Sequence, residues 1–228
     1  LEFRRVLFRS IVIIDHHLQS DARIDNVALS YIEPTASSAC EMVAEMLQYF
    51  EENVRLRNLD ADCLYAGIVL DTQSFVTKTG VRTFEAAAYL RRCGADMVRV
   101  RKALRDNMSS YMAKMDAVSH AEKFMEHYVF SVCNGEGLED PTIVGAQAAN
   151  DLLGIVGVKA SFVLTQVGNR IFISARSIDE VNVQLVMERL GGGGHMNTAG
   201  AQLTDVTAAE AREMVQRVLQ QMTEEGAI

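Results

Sequence analysis

The stretch Ile11-Val12-Ile13-Ile14-Asp15-His16-His17 decides how the chain is read. Four aliphatic residues, all β-branched, favour extended backbone, and an unbroken apolar run fits a strand buried on both faces, as in parallel sheets. The run is short for a buried helix, although periodicity alone does not separate the two. In open α/β sheets, ligands bind beyond the carboxyl ends of the strands, and Asp15, His16 and His17 stand at such an end. Imidazole nitrogen with carboxylate oxygen suits Mn, Fe or Zn better than Ca or Mg. The plain alternative is a polar surface turn.

Further along the chain, Tyr31 to Pro34 reads as extended, because residues before proline avoid the helical region. Ser38-Ala39-Cys40-Glu41 has the form of a capping box, with Val43, Met46, Leu47 and Phe50 as the helical stripe behind it. A second helix is expected around Asp60 to Tyr65. Gly67-Ile68-Val69-Leu70-Asp71-Thr72 repeats the opening pattern and reads as a second strand ending in an aspartate. Parallel neighbours of this kind would bring Asp71 close to His16; taken alone, Asp71 would be an N-cap. Thr83 to Arg92 reads as a helix that stops at Gly94. Arg99 to Glu126, without Gly or Pro, predicts one long helix.

Beyond it the pattern predicts a strand over Tyr128 to Cys133 and a helix over Pro141 to Leu153. A hairpin follows, turning at Gly168-Asn169. A short helix over Asn182 to Leu190 leads into Gly191-Gly192-Gly193-Gly194-His195. Thr207 to Glu210 is another capping box, opening a terminal helix. Four consecutive glycines cost chain entropy and bring no packing. They suit a loop whose backbone N–H groups approach a ligand, phosphate above all, with His195 on the helix or turn that follows. Arg176 offers a planar fork for phosphate, with Ser177 beside it. The alternative is a flexible linker. His120, His127 and the methionines at 108, 112 and 115 fit no site pattern and read as surface and packing residues.

The composition sets limits. With 228 residues, 49% hydrophobic content and two prolines, the chain is globular, one large domain or two small ones. A net charge of −8 argues against a general binder of duplex nucleic acid, which would show a basic face. Cys40, Cys63, Cys93 and Cys133 are scattered without a CxxC pair and read as reduced cytosolic thiols. No apolar stretch approaches the length of a membrane span. Residues 1–10, Leu-Glu-Phe-Arg-Arg-Val-Leu-Phe-Arg-Ser, resemble a junction more than a signal peptide and are expected to be a non-native lead-in.

The Asp15-His16-His17 triplet, GIVLDT and GGGGH together resemble the DHH phosphoesterase superfamily with its C-terminal DHH-associated domain. The runs IEPTASSACEMV, GIVLDTQSFVTKTGVRTFEAAAYLRRCGAD and SARSIDEVNVQLVMERLGGGGH are similar to the GdpP-type branch of cyclic-di-AMP phosphodiesterases. The resemblance covers nearly everything from residue 11 onward. It implies an α/β architecture: the C-terminal part of a parallel-sheet DHH domain over 11–104, a helical connector over 105–126, and a smaller α/β domain over 127–228. It implies a site with two Mn2+ ions, His16 and Asp71 as ligands, Asp15 orienting the site, and His17 near the scissile phosphate. Arg176, Ser177 and Gly191 to His195 would hold a cyclic dinucleotide or a short linear nucleotide.

The implied reaction opens cyclic-di-AMP to pApA. The family's upstream aspartate motifs do not occur in this sequence, so the chain is expected to be an incomplete catalytic module, weakly active or inactive by itself. The implied whole protein is a homodimer, membrane-anchored, acting on the cytoplasmic side. Two alternatives stay open: an oligoribonuclease or 3′,5′-bisphosphate phosphatase of the same superfamily, and a nucleotide-binding module without turnover.

Overall fold

The structure, a computed structural model, describes residues 10–17, 24, 26–50, 55–178 and 180–227. The expected lead-in lies almost wholly outside them. The chain divides into two compact units, residues 1–105 and 106–228.

In the first unit β1 (Ile11–Asp15) pairs in parallel with β2 (Val27–Ile32), Asp15 standing opposite Ile32. The β1 strand forms as expected but is not buried on both faces. Val12 and Leu29 are register partners, 55% and 53% exposed. Among the described residues the sheet has two strands, and α1 (Ala39–Leu47) packs against β1. Ser38 caps α1 by accepting from the Glu41 N–H. Glu41 is buried, and its carboxylate accepts from the Ser37 hydroxyl.

The second expected strand is a correction. Gly67 to Asp71 is the last part of a 14-residue helix, α2 (Asn58–Asp71). Ala61, Tyr65 and Ile68 are buried at spacings of four and three, a helical stripe that runs straight through the apolar stretch. A strand cannot present that spacing to one core. α3 (Val81–Arg92) packs against α1 and α2, and Gly94, at φ +101°, ends the chain's helical path after the Cys93 cap. These helices share a core of Ala44, Ala61, Ile68, Ala86 and Leu90.

The single helix expected over Arg99 to Glu126 is two helices and a strand: α4 (Met97–Ala103), α5 (Met108–Ser119) and β3 (Glu122–Phe124). The break has a local cause. Asn107 accepts from the Ser110 N–H and starts a new helix there, because an Asn side chain competes for backbone N–H groups as a cap.

The second unit is a mixed six-stranded sheet in the order β3-β4-β5-β6-β8-β7. β4 (Tyr128–Asn134) and β5 (Ala160–Val167) are parallel, joined through α6 (Pro141–Leu152). β6 (Arg170–Ser177) returns from β5 by the Gly168-Asn169 hairpin. α7 (Val183–Glu188) leads to β7 (Gly193–His195), and β8 (Thr198–Thr204) lies between β7 and β6. α8 (Ala208–Glu224) closes the unit behind a full capping box of Thr207 and Glu210. Alternation along the strands sends Phe130, Phe162, Leu164, Ile171 and Ile173 to the α7 and α8 side. Val129, Cys133 and Val163 face Val144, Ala148 and Leu152 of α6 on the other. Thr198, Gly200 and Gln202 of β8 belong to neither core.

Candidate functional site

In the first unit, β1 delivers the acidic-histidine triplet at its carboxyl end. The backbone carbonyl of Asp15 accepts from the Glu33 N–H at 2.9 Å, so the strand remains paired up to the site. His16 turns inward: its side chain is 11% exposed, and Nε2 stands 3.8 Å from Oδ2 of Asp71. His17 turns outward. Its ring Nδ1 is 2.7 Å from Asp15 Oδ1, which also accepts the His17 backbone N–H at 3.1 Å. The hydrogen bond from His17 holds the Asp15 carboxyl below the usual carboxylate range. With its proton on Nδ1, His17 would donate to Asp15 and keep a fixed ring orientation.

Asp71 reaches His16 from the last residue of α2, not from a strand end. A carboxylate there faces the negative end of the helix dipole, an unfavourable position that a cation relieves. The turn beyond it is unusual. Gln73, Ser74 and Phe75 all have positive φ, 48°, 62° and 66°, a conformation that costs non-glycine residues energy and gathers at functional sites. Buried Thr72 holds it: its hydroxyl donates to the Ile68 carbonyl and accepts the Phe75 N–H, while the Ser74 N–H reaches the Val69 carbonyl. Phe75 then stacks on Phe84. No glycine or asparagine in Gln73-Ser74-Phe75 announces this turn, and sequence reasoning missed it.

Two donors on one transition-metal ion, each about 2.0–2.2 Å from it, are separated by at most about 4.3 Å. The 3.8 Å between His16 Nε2 and Asp71 Oδ2 is within that reach and somewhat wider than the roughly 3.4 Å of a tetrahedral pair. Among the described residues no third His, Cys, Asp or Glu joins them in a metal-binding group. The pair supplies two donors.

In the second unit, the sheet register assembles what the linear sequence keeps apart. Arg176 pairs with Thr198, and Thr198 pairs with His195, so the three form one row across β6, β8 and β7. At about 4.8 Å per strand, that row spans about 10 Å. The next row on the same face is Ser174, Gly200 and Gly193; the row after that is Phe172 and Gln202. Arg176 donates from Nε to Asn150 Oδ1 of α6 at 3.0 Å and from Nη1 to the Ala175 carbonyl. Burial pulls its pKa down, and among the described residues no carboxylate is paired with it. A half-buried cation without an acidic partner favours an anion. Ser177 is buried, bonded through its hydroxyl to the Met196 carbonyl and through its N–H to the Asn197 carbonyl; it braces the β7–β8 turn.

The glycine run is not a loop leading to a helix or turn: Gly193 to His195 form the edge strand β7. Gly194, at φ +147°, has no room for a Cβ, which would lie 2.5 Å from the Thr198 carbonyl oxygen. A Cβ on Gly192 would lie 2.1 Å from the Gly200 carbonyl oxygen. At Gly193 a Cβ would meet nothing within 4 Å. Close strand packing accounts for its neighbours, whereas Gly193 leaves a bare place beside the polar row.

Residues 4–68 match the DHH family, N-terminal domain, and residues 127–224 match the DHHA1 domain. The first match begins inside the stretch expected as a lead-in. The chain therefore carries both DHH and DHHA1 domain sequence. It is 44% identical over 225 residues to the cyclic-di-AMP phosphodiesterase GdpP of Geobacillus thermodenitrificans, covering 97% of this chain and 34% of that protein. It is 40% identical over 208 residues to the cyclic-di-AMP phosphodiesterase PdeA of Listeria monocytogenes, covering 90% and 31%. The chain thus spans about a third of the length of these relatives. Its fold is similar to that of an exopolyphosphatase-related protein from Bacteroides fragilis, with a TM-score of 0.80 at 22% identity over 93% of this chain and 64% of that one. Among the described residues no helix is long and apolar enough to cross a membrane.

Proposed function

We propose that the chain is catalytic sequence of a metal-dependent phosphodiesterase that opens cyclic-di-AMP to linear pApA. The observation that carries the reading is the convergence of His16 and Asp71 at 3.8 Å at the end of β1, a nitrogen and an oxygen donor at the spacing of a shared ion. The names of the relatives at 44% and 40% identity supply the substrate.

His16 and Asp71 would hold Mn2+, of which the complete site takes two ions. Bound there, the metal supplies Lewis-acid stabilisation of phosphate charge and lowers the pKa of bound water. Asp15 fixes the His17 ring, and His17 orients the phosphate. Arg176 and His195, at the two ends of their row, bind phosphate oxygens, and Arg176 meets them from a partly desolvated position where charge is weakly screened. Ser177 holds the turn that carries His195. The larger protein would be a homodimer, anchored to the membrane and working at its cytoplasmic side. With two donors in hand, turnover by the chain itself is expected to be low.

The test is Mn2+ binding followed by electron paramagnetic resonance, beside hydrolysis of cyclic-di-AMP followed by chromatography for pApA. Binding that vanishes in His16→Ala and Asp71→Asn, with pApA as product, supports the reading. Clear preference for short oligoribonucleotides, or Mn2+ binding unchanged by both substitutions, overturns it.

A further inference from the structure

We propose that Phe172 and Gln202 form a base-reading end of the nucleotide site and give it a preference for adenine. This rests on the functional reading above and names what that reading leaves open: which residues tell one base from another.

The register carries the argument. Phe172, Ser174 and Arg176 alternate onto one face of β6, and their partners on β8 are Gln202, Gly200 and Thr198. The face therefore grades from a phosphate-binding row, through a floor of Ser174, Gly200 and Gly193, to an aromatic and a carboxamide. Phe172 and Arg176 are four residues apart on one strand, about 13 Å along it, which suits a ligand with a base at one end and phosphate at the other. The floor has no side chain larger than serine, so a flat ring can lie on it. An open depression of about 350 Å³ lies there, lined by Thr142, Phe172, Ser174, Gly192, Gly200 and Gln202 among others. Thr142 comes from the first turn of α6, which walls one side.

The chemistry of the two end residues specifies the base. Phe172 is half-buried and presents π surface on which any base can stack; the Arg170 guanidinium sits 5.4 Å from its ring centroid and fixes the ring from the far end of the strand. Gln202 is exposed at the rim. A carboxamide offers one donor and one acceptor side by side, which matches N7 and the N6 amino group of adenine. Guanine presents two acceptors on that edge and satisfies only half of the carboxamide.

The test is titration of the full chain with cyclic-di-AMP and with cyclic-di-GMP, for the wild type, Phe172→Ala and Gln202→Ala. Wild type is expected to prefer cyclic-di-AMP. Phe172→Ala should weaken both ligands, by about tenfold as for loss of one stacking partner. Gln202→Ala should bring the ratio of the two affinities towards one. Because Gln202 is exposed, that ratio is readable even if Phe172→Ala lowers stability. Cyclic-di-AMP binding by the wild type with the ratio unchanged in Gln202→Ala overturns the inference and leaves the functional reading standing. If the wild type binds neither ligand, both fall.

Discussion

Asp15, His16 and His17 are adjacent in the chain and do three different things. Strand alternation turns His16 towards Asp71 and leaves Asp15 to bind His17. Replacing Asp15 by Asn keeps the shape and weakens the charge-assisted hold on His17; where such supporting carboxylates are lost, metal affinity or activity falls about 10–100-fold, and we expect a loss of that size in Mn2+-dependent turnover with the fold intact by circular dichroism. Arg176 differs in kind. It lies partly buried, anchored to Asn150 through Nε. Lysine has neither the fork nor Nε, so Arg176→Lys should weaken dinucleotide binding about tenfold in a titration, and equal affinity would remove the guanidinium from the site. The triplet, standing at a strand end, was legible in the sequence, because the β-branched run before it is a local signal. Thr72 was not. Its role comes from Ile68, Val69 and Phe75 closing around it. Thr72→Val leaves the half-buried Phe75 N–H without its acceptor and should cost about 1 kcal/mol in a denaturant titration.

At the scale of elements, capping residues predicted helix starts well because a cap acts within three or four residues of itself. Ser38, Thr207 and the C′ glycine at 94 were readable for that reason. The run at 67–71 misled because a buried helix and a buried strand are equally apolar; the deciding stripe of Ala61, Tyr65 and Ile68 began six residues earlier. α2 and α4 are joined by a clamp in which Arg99 Nε meets Asp62 Oδ2 at 2.6 Å and the Asp96 N–H meets Asp62 Oδ1. The Arg99 guanidinium holds Asp62 below the usual carboxylate range. A depressed pKa in the folded state means that the clamp stabilises above the unfolded carboxylate's value of about 4 and that this contribution is lost as pH falls through the folded value. Asp62→Asn should therefore melt earlier than wild type at pH 7, with the two curves converging as the pH is lowered below about 4. The glycine strand gives a paired prediction. Gly194→Ala places a Cβ against backbone at a positive φ and should cost stability, about 1–3 kcal/mol. Gly193→Ala meets open space and should leave the melting temperature unchanged while weakening nucleotide binding.

Across the whole molecule, the division between the two units falls along the chain in the exposed stretch between α4 and α5, Leu104 to Asn107. Charge, the capped helix starts, the Gly168-Asn169 hairpin and the place of Asp15, His16 and His17 at a strand end all follow from the amino acids alone. Each is a property of a few neighbouring residues. Long-range packing is what brings Asp71 to His16 from a helix, makes Gly193 to His195 a strand, and stands Arg176, Thr198 and His195 in one row. Those facts depend on which distant segments pack and pair and in what register, and a one-residue shift of a strand would turn its member of the Arg176, Thr198 and His195 row to the opposite face.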